Sequence, residues 1–419
     1  MIGLDMTTGV VYHYADGCRQ SIMLKEIRGT KMKKLKTKIL IACLILILFS
    51  SCGPKGTEWQ GRIEEVNGVT VVYNPEEPLS KDAGRVIQLT EELRISDDQG
   101  DFYFKWPSNI KTAPDGSIFI EDEDQFLKFD RNGQFIANLF TKGQGPGELE
   151  NIVNYLFSGD EIIILQSRPN KIIRMDMSGK FISEFRPETM VSELFTSFGE
   201  KLIGAHSSFP KLEKAGEEPE IIDIKWNLKS VTEDGKVEST ALEFPVNWYA
   251  QRLEKAIIAN YIVNFTAKPF LDRFLVIHHT QEYLLKLLEL ESQKIVRTFT
   301  REYDRVRYKP DETGRVEVSP GSFTLVPPVD HLNDVQKIFV QGNTIWVMTS
   351  TVDEDKGFLV DVFNRNGEYV DNFYLPVHHQ VKLEGLSRHP ITISGDELFI
   401  VEYDADGIPS VVKYRMKGL

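Results

Sequence analysis

The chain has 419 residues, 41% hydrophobic, 11% aromatic and 26% charged, a balance that excludes wholesale disorder and a collagen-like fibre. With 49 basic against 62 acidic residues the net charge is −13, which leaves no global electrostatic footprint for nucleic acid. Only three cysteines occur, Cys18, Cys43 and Cys52, so a disulfide framework and a cysteine-rich zinc site are both excluded.

Residues 1–31 are polar and lack periodicity, and they precede a segment that reads as a start of its own. From Met32, four lysines (Lys33, Lys34, Lys36 and Lys38) lead into the apolar run Ile39 to Phe49. That run has the length of a signal-peptide core and falls short of a membrane-spanning helix. It ends in Phe49-Ser50-Ser51-Cys52, which resembles a bacterial lipobox, although leucine is usual where Phe49 stands. The reading is a mis-annotated extension over 1–31, a lipoprotein signal peptide over 32–51, and lipid attachment at Cys52. Residues 1–51 hold 8 basic and 3 acidic side chains, so the remainder carries 41 against 59, a net charge of −18.

Residues 52–84 read as a tether and pre-propeller segment, and 85–419 as a repeat array. Six times, a Gly, Asp or Asn turn launches a short run of β-branched, aromatic or large aliphatic residues. The copies begin at Asp115-Gly116, Gly159-Asp160, Gly199-Glu200, Asp272-Arg273, Gly342-Asn343 and Gly395-Asp396. A further strand follows each, often ending in Asx-x-x-Gly: Asp130 to Gly133, Asp176 to Gly179 and Asn364 to Gly367, with Thr232 to Gly235 a looser copy. Such turns join antiparallel strands, the Asx side chain capping the turn and Gly taking positive φ. A small antiparallel sheet recurring every roughly 40–50 residues is the signature of a β-propeller blade.

Two insertions stretch the middle of the array. Glu243–Phe265 includes Trp248 to Ala256, which is compatible with a short helix, and Arg301–Leu332 carries Pro310, Pro320, Pro327 and Pro328 and reads as a long loop. The last repeat runs out of chain at Val412 to Met416, its third strand. The expectation is that Val69–Tyr73 or Arg85–Leu89 supplies the missing strand and closes the ring, because an unpaired edge invites aggregation. The expected fold is therefore all-β, a six-bladed β-propeller closed by an N-terminal strand and preceded by a lipoprotein signal peptide.

Three stretches carry a family resemblance: the lipobox-like terminus, Gly68 to Leu79 (GVTVVYNPEEPL), and Lys142 to Leu149 (KGQGPGEL). Together with the blades they resemble the six-bladed β-propeller lipoproteins common in Bacteroidetes, which are related to NHL-repeat propellers. The resemblance spans nearly all of the chain after the signal. It implies an exported, lipid-anchored propeller and little chemistry. Gly53 after the cysteine is not the aspartate that retains lipoproteins at the inner membrane in enteric bacteria, so the expected location is the outer membrane, on its periplasmic or its cell-surface side.

Aligning the ends of the six turn-launched strands places Glu121, Gln166, His206, His278, Thr349 and Glu402 at equivalent positions, with Asp122, Ser167, Ser207, His279, Ser350 and Tyr403 beside them. In a propeller these ends meet at one mouth of the channel, and a few polar groups in a concavity make a binding site. Strand ends are also polar simply because they meet solvent. The loop Gly143 to Gly147 lacks the helix and Lys that phosphate cradling requires, so it reads as a connection between blades whose Glu148 anchors the next strand or lines the cavity. No catalytic residue is assigned. The preferred function is a non-enzymatic binding module without a cofactor: a monomer that meets the membrane through its lipid only and takes a peptide, glycan or envelope protein. The alternative is a metal-assisted propeller enzyme, lactonase-like or amidating-lyase-like. His206 and His278, with Glu121 and Glu402, would then hold zinc or calcium.

Overall fold

The computed structural model describes residues 2–5, 10–13 and 58–419, the last range without 97–99, 209–215, 217, 219, 254–255, 264, 310–327, 382–385 and 387–388. The signal peptide, the lipobox and Cys52 lie outside these residues, as does most of the proline-rich insertion. The chain divides into two units, Met1–Glu58 and Trp59–Leu419. In the first, Ile2–Asp5 pairs antiparallel with Val10–His13.

The second unit consists of six antiparallel sheets in chain order, the blades of a propeller. Among the described residues every regular element is a strand. Blade 1 is built from Pro107–Thr112, Ile118–Asp122, Gln125–Phe129 and Phe135–Asn138. Blade 2 follows with Asn154–Ser158, Glu161–Ser167, Asn170–Asp176 and Phe181–Phe185. Blade 3 has five strands: Glu193–Phe198, Lys201–Ser208, Glu220–Val231, Val237–Leu253 and Ala256–Tyr261. Blade 4 comprises Thr266–Phe270, Phe274–His278, Leu285–Glu289 and Lys294–Arg301, and blade 5 comprises Val335–Gln341, Thr344–Asp353, Gly357–Asn364 and Tyr369–Leu375. Blade 6 has Ile391–Ser394, Glu397–Tyr403 and Pro409–Lys417.

The first strands of successive blades neighbour one another around the ring, the last meeting the first, so they are the innermost strands and surround the axis. The runs launched by the repeated turns are therefore the second strand of each blade. Blade faces pack against each other through six apolar clusters, one per junction. The junction of blades 1 and 2, for example, holds Phe119, Phe126, Tyr155, Ile164 and Ile173, all fully buried. Sheets that are apolar on both faces have no other way to hide them, and a closed ring hides all of them.

Closure comes from the N-terminal segment, which straps three blades in turn. Arg62–Val66 and Val69–Asn74 form a hairpin whose second strand runs parallel to Lys294–Arg301 on the outer edge of blade 4. Arg85–Val86 pairs in parallel with Phe373 and Tyr374 of blade 5. Gln88–Ile95 then runs antiparallel to Pro409–Lys417 and is the fourth strand of blade 6. Of the two segments expected to close the ring, Val69–Tyr73 serves blade 4, and the closing strand begins only at Gln88.

The turns behave as the sequence chemistry predicts. In blade 1, Asp130 Oδ1 accepts from the amides of Asn132 and Gln134, both at 2.8 Å, and Gly133 takes φ 79°. A Cβ at Gly133 would come within 2.5 Å of Leu93 on the closing strand, so the glycine is required by packing as well as by conformation. Turns between first and second strands, and between third and fourth, are two to five residues long and share one face of the ring. The longer connections, including 209–219, 302–334 and 376–390, share the opposite face.

The insertion around Trp248 is a strand and not a short helix. Val237–Leu253 pairs with Glu220–Val231 beyond the reach of the blade's second strand, with Ile222 opposite Trp248 and Ile224 opposite Val246. Alternation of apolar residues across this ribbon overrides the helical reading of Trp248 to Ala256.

Candidate functional site

The innermost strands set the character of the central channel. Lys111 pairs with Phe119, Lys268 with Val276, Lys337 with Met348 and Glu193 with Ala205. Each partner lies one or two residues inward from the strand ends at Glu121, His278, Thr349 and His206. Four charged side chains from four blades thus occupy one level of the channel. A cavity of about 430 Å³ opens at the inner strands of blades 4, 5 and 6, lined by Thr266, Lys268, Gln336, Lys337 and Thr392 among others. Lys268 is exposed to this space, and Lys111, Glu193 and Lys337 are partly accessible from it.

These groups influence one another's protonation. Desolvation, and then the charge of Lys268, lower the Lys111 pKa to about 8, against the pull of Glu193 and Glu121. The same two causes take Lys337 to about 7. Desolvation raises Glu193 to about 7, opposed by Lys268 and Lys111. Protein surrounds Lys111, Lys337 and Glu193 on most sides, so each change of charge is felt by its neighbours. Lys111 also donates to the backbone oxygen of Tyr155 and lies 4.6 Å from the centre of its ring. Lys268 has neither a hydrogen bond nor an ion pair among the described residues. The channel therefore combines positive charge, polar walls and groups that exchange protons near neutral pH.

The six residues singled out from the sequence are placed differently. Glu121 accepts from Asn109 Nδ2, and desolvation raises its pKa to about 7; it reaches the channel through its effect on Lys111. Gln166 is fully buried, accepting from the Glu150 amide at 2.8 Å and donating to the Pro169 carbonyl at 3.0 Å. Thr349, also fully buried, donates to the Leu359 carbonyl at 3.2 Å. His206 Nδ1 lies 2.8 Å from Ser192 Oγ, and desolvation lowers its pKa. His278 Nδ1 donates to the Leu284 carbonyl at 3.1 Å, while its Nε2 is buried without a partner. Glu402 turns to the outer part of blade 6, where it accepts from Arg94 at 2.9 Å and Tyr414 at 2.6 Å.

Among the described residues, no three His, Cys, Asp or Glu side chains stand where one metal ion could be held. His206 and His278 each bond within their own blade through Nδ1, and Glu402 is committed to an ion pair. Glu148 folds back on its own loop, accepting from the Gly145 amide at 2.8 Å. The channel lysines had a signal in the repeat: Lys111 and Lys337 each stand five residues before the turn glycines Gly116 and Gly342. Attention to the run after each turn passes over the strand before it.

A family model described as 6-bladed beta-propeller matches residues 98–236. A solved structure from Bacteroides fragilis NCTC 9343, described as exported, aligns with 83% of this chain and 100% of its own at 11% identity and a TM-score of 0.48. A member of the duf4221 family from Bacteroides vulgatus aligns over 80% and 99%, at 13% identity and a TM-score of 0.48. No curated protein matches the chain. The matched family and the six sheets agree: the chain carries the six-bladed β-propeller fold that its sequence resembles.

Proposed function

We propose that this six-bladed β-propeller is an exported, lipid-anchored protein of the bacterial cell envelope that acts as a non-enzymatic binding module, taking its ligand at the central channel. One observation carries the reading: Lys268 and Lys337, on the inner strands of blades 4 and 5, line a cavity of about 430 Å³, and Lys111 and Glu193 stand near the same register on the inner strands of blades 1 and 3. That is the size and makeup of a small-ligand site, a few charged groups in a concave space. The long connections share a single face, where variable loops can set specificity without disturbing the ring. Export and anchoring rest on the basic and apolar run before Cys52, and Gly53 after it is not the aspartate that retains lipoproteins at the inner membrane.

Two measurements test this. Substituting Cys52→Ala in the native host is expected to move the protein from the membrane to the soluble fraction; a variant that still sediments with membranes refutes anchoring at that residue. Purification from the host is expected to retain a ligand or an envelope partner, and recovery of a stoichiometric reaction product in its place would overturn the non-enzymatic reading.

A further inference from the structure

We infer that the face carrying the long connections holds a second binding surface, an aromatic platform at the seam of blades 6 and 1 that docks a lysine- and arginine-rich segment of a partner protein. It uses none of the channel lysines, so it stands or falls independently of the reading of the channel. Trp106, Tyr103 and Tyr403 form it, with 71%, 49% and 45% of their surfaces exposed. Among the described residues, Trp106 is the most exposed large apolar side chain. Tryptophan and tyrosine are the residue types that anchor protein interfaces. Three of them opened to water at one seam form a surface that folding alone does not call for.

The platform is held in place by its surroundings. Phe102 and Phe104 are buried in the cluster between blades 6 and 1, Phe102 meeting Phe129 edge-on with ring centres 5.0 Å apart. Asp122, fully buried at the end of the second strand of blade 1, accepts from the amides of Lys105 at 2.8 Å and Trp106 at 2.5 Å. Gln125 donates to the Tyr103 carbonyl. These bonds fix the backbone, so Tyr103 and Trp106 are displayed at little ordering cost on binding. Tyr403 enters from blade 6. It ends that blade's second strand, which neighbours the first strand of blade 1. It pairs with Pro409, two residues from the Val411 that faces Ile95 on the closing strand. The chain that runs from Ile95 to Trp106 therefore starts beside the Tyr403 hairpin and finishes on Asp122, whose charge Tyr403 feels.

Charge selects the occupant. Segments 101–106, 121–125 and 403–408 carry five exposed carboxylates, Asp101, Glu123, Asp124, Asp404 and Asp406, and a single cation, Lys105. Lys105 is shared by Glu123 and Asp124, and its ammonium lies 5.2 Å from the centre of the Tyr103 ring. That ring face suits an ammonium group, and the indole of Trp106 is the strongest aromatic partner of this kind. Aromatic faces joined to surplus carboxylates attract arginine and lysine through cation–π and charge-assisted contacts together. The same surplus repels nucleic acid, anionic lipid and a second copy of this acidic chain.

The test uses the purified full-length chain in detergent, titrated by calorimetry with a peptide of alternating arginine and glycine, with its glutamate–glycine counterpart and with maltoheptaose. One saturable site for the arginine peptide and none for the other two is expected, with affinity falling as salt rises. Trp106→Ala is expected to weaken the arginine peptide by about tenfold or more, and Tyr403→Ala by about threefold or more. Ile182→Ala, at an exposed apolar position on the outer strand of blade 2, is expected to bind like the parent. None of these substitutions changes the net charge, so attraction to an acidic protein in general would survive them. If Trp106→Ala and Tyr403→Ala keep the parent's urea midpoint and bind like it, the inference is overturned; leucine variants serve where alanine does not fold. Failure of the arginine peptide to bind at millimolar concentration overturns it as well, as does binding of maltoheptaose or the glutamate peptide in its place. A dimer in sedimentation that Trp106→Ala dissociates would give the surface to a second copy and overturn it too.

Discussion

Arg301 of blade 4 donates from Nε to Oδ2 of Asp361 in blade 5 at 2.8 Å, and both side chains are buried. Asp361 also accepts from the hydroxyls of Tyr283 and Tyr369, each at 2.7 Å. The guanidinium lies about equally far from three aromatic rings, 5.3 Å from Tyr283, 4.9 Å from Tyr303 and 5.1 Å from Tyr369. A buried ion pair repays its desolvation only when its remaining donors and acceptors are satisfied, and here the tyrosines do that. The pair rivets blade 4 to blade 5.

Removing one side of this rivet is expected to be costly. Asp361→Ala leaves a buried guanidinium and two buried phenols without their acceptor, a loss of about 3–5 kcal/mol. Glu402→Ala, which breaks the half-exposed pair with Arg94, is expected to cost about 1 kcal/mol or less. Urea unfolding of both variants checks the contrast, and equal effects would show that the buried network contributes no more than a surface pair.

The N-terminal strap depends on Asn74. Its Nδ2 donates to the carbonyls of Thr300 at 2.9 Å and Gly367 at 2.8 Å, and its Oδ1 accepts from the Tyr369 amide at 2.7 Å and Trp59 Nε1 at 2.9 Å. One buried side chain thus ties the strap to blades 4 and 5. Asn74→Ala orphans buried backbone groups on both blades and is expected to lower stability by about 2–4 kcal/mol. Glu65→Ala, on the exposed edge of the same hairpin, is expected to change it by about 0.5 kcal/mol or less. Denaturation midpoints and proteolysis of the strap report both, and an Asn74→Ala protein as resistant as the parent would dismiss the hub.

The blades were legible because their turns are local chemistry. Asp130, Asp176 and Asn364 each accept from amides two and four residues on, a geometry contained in five consecutive residues. The strap was only half legible, since parallel pairing of Val69–Asn74 with Lys294–Arg301 joins segments more than 200 residues apart and has no turn to announce it. The site was the least legible. A lysine in an alternating strand reads as solvent-facing, and only ring closure decides that the solvent at Lys111, Lys268 and Lys337 is the channel. The polar strand ends from Glu121 to Glu402 stood out instead, and most of them cap their own blades.

His278 sets an acid limit. Desolvation, set against a hydrogen bond to the Leu284 carbonyl, takes its pKa to about 4 from an unfolded value of 6.5. Between those values the unfolded chain holds the proton and the folded one does not. The contribution is therefore fully present above pH 6.5 and is lost as pH falls through 4, about 3 kcal/mol over the window. Glu121 and Glu193, raised to about 7, work in the opposite direction, so the effect is read as a difference between proteins. His278→Gln is expected to be less stable than the parent at pH 7, with the gap narrowing by pH 4. A gap independent of pH would mean that the histidine titrates alike in the folded and unfolded chain, and that burial does not lower its pKa.

Lys337 offers the sharpest check on the channel, because an ammonium group held away from water beside another costs stability. Its pKa falls from 10.5 to about 7 through desolvation and the charge of Lys268. Its contribution is fully present above pH 10.5 and is lost as pH falls through 7, since below that the folded protein must hold an enclosed ammonium beside another. Lys337→Met removes the charge and keeps most of the volume. The variant is expected to be more stable than the parent at pH 7, by about 1–3 kcal/mol, with the gain shrinking by pH 10. Urea unfolding at pH 7 and pH 10 gives both differences. If Lys337→Met is destabilised equally at both pH values, the lysine is part of the frame of blade 5 and its ammonium is not strained by its surroundings.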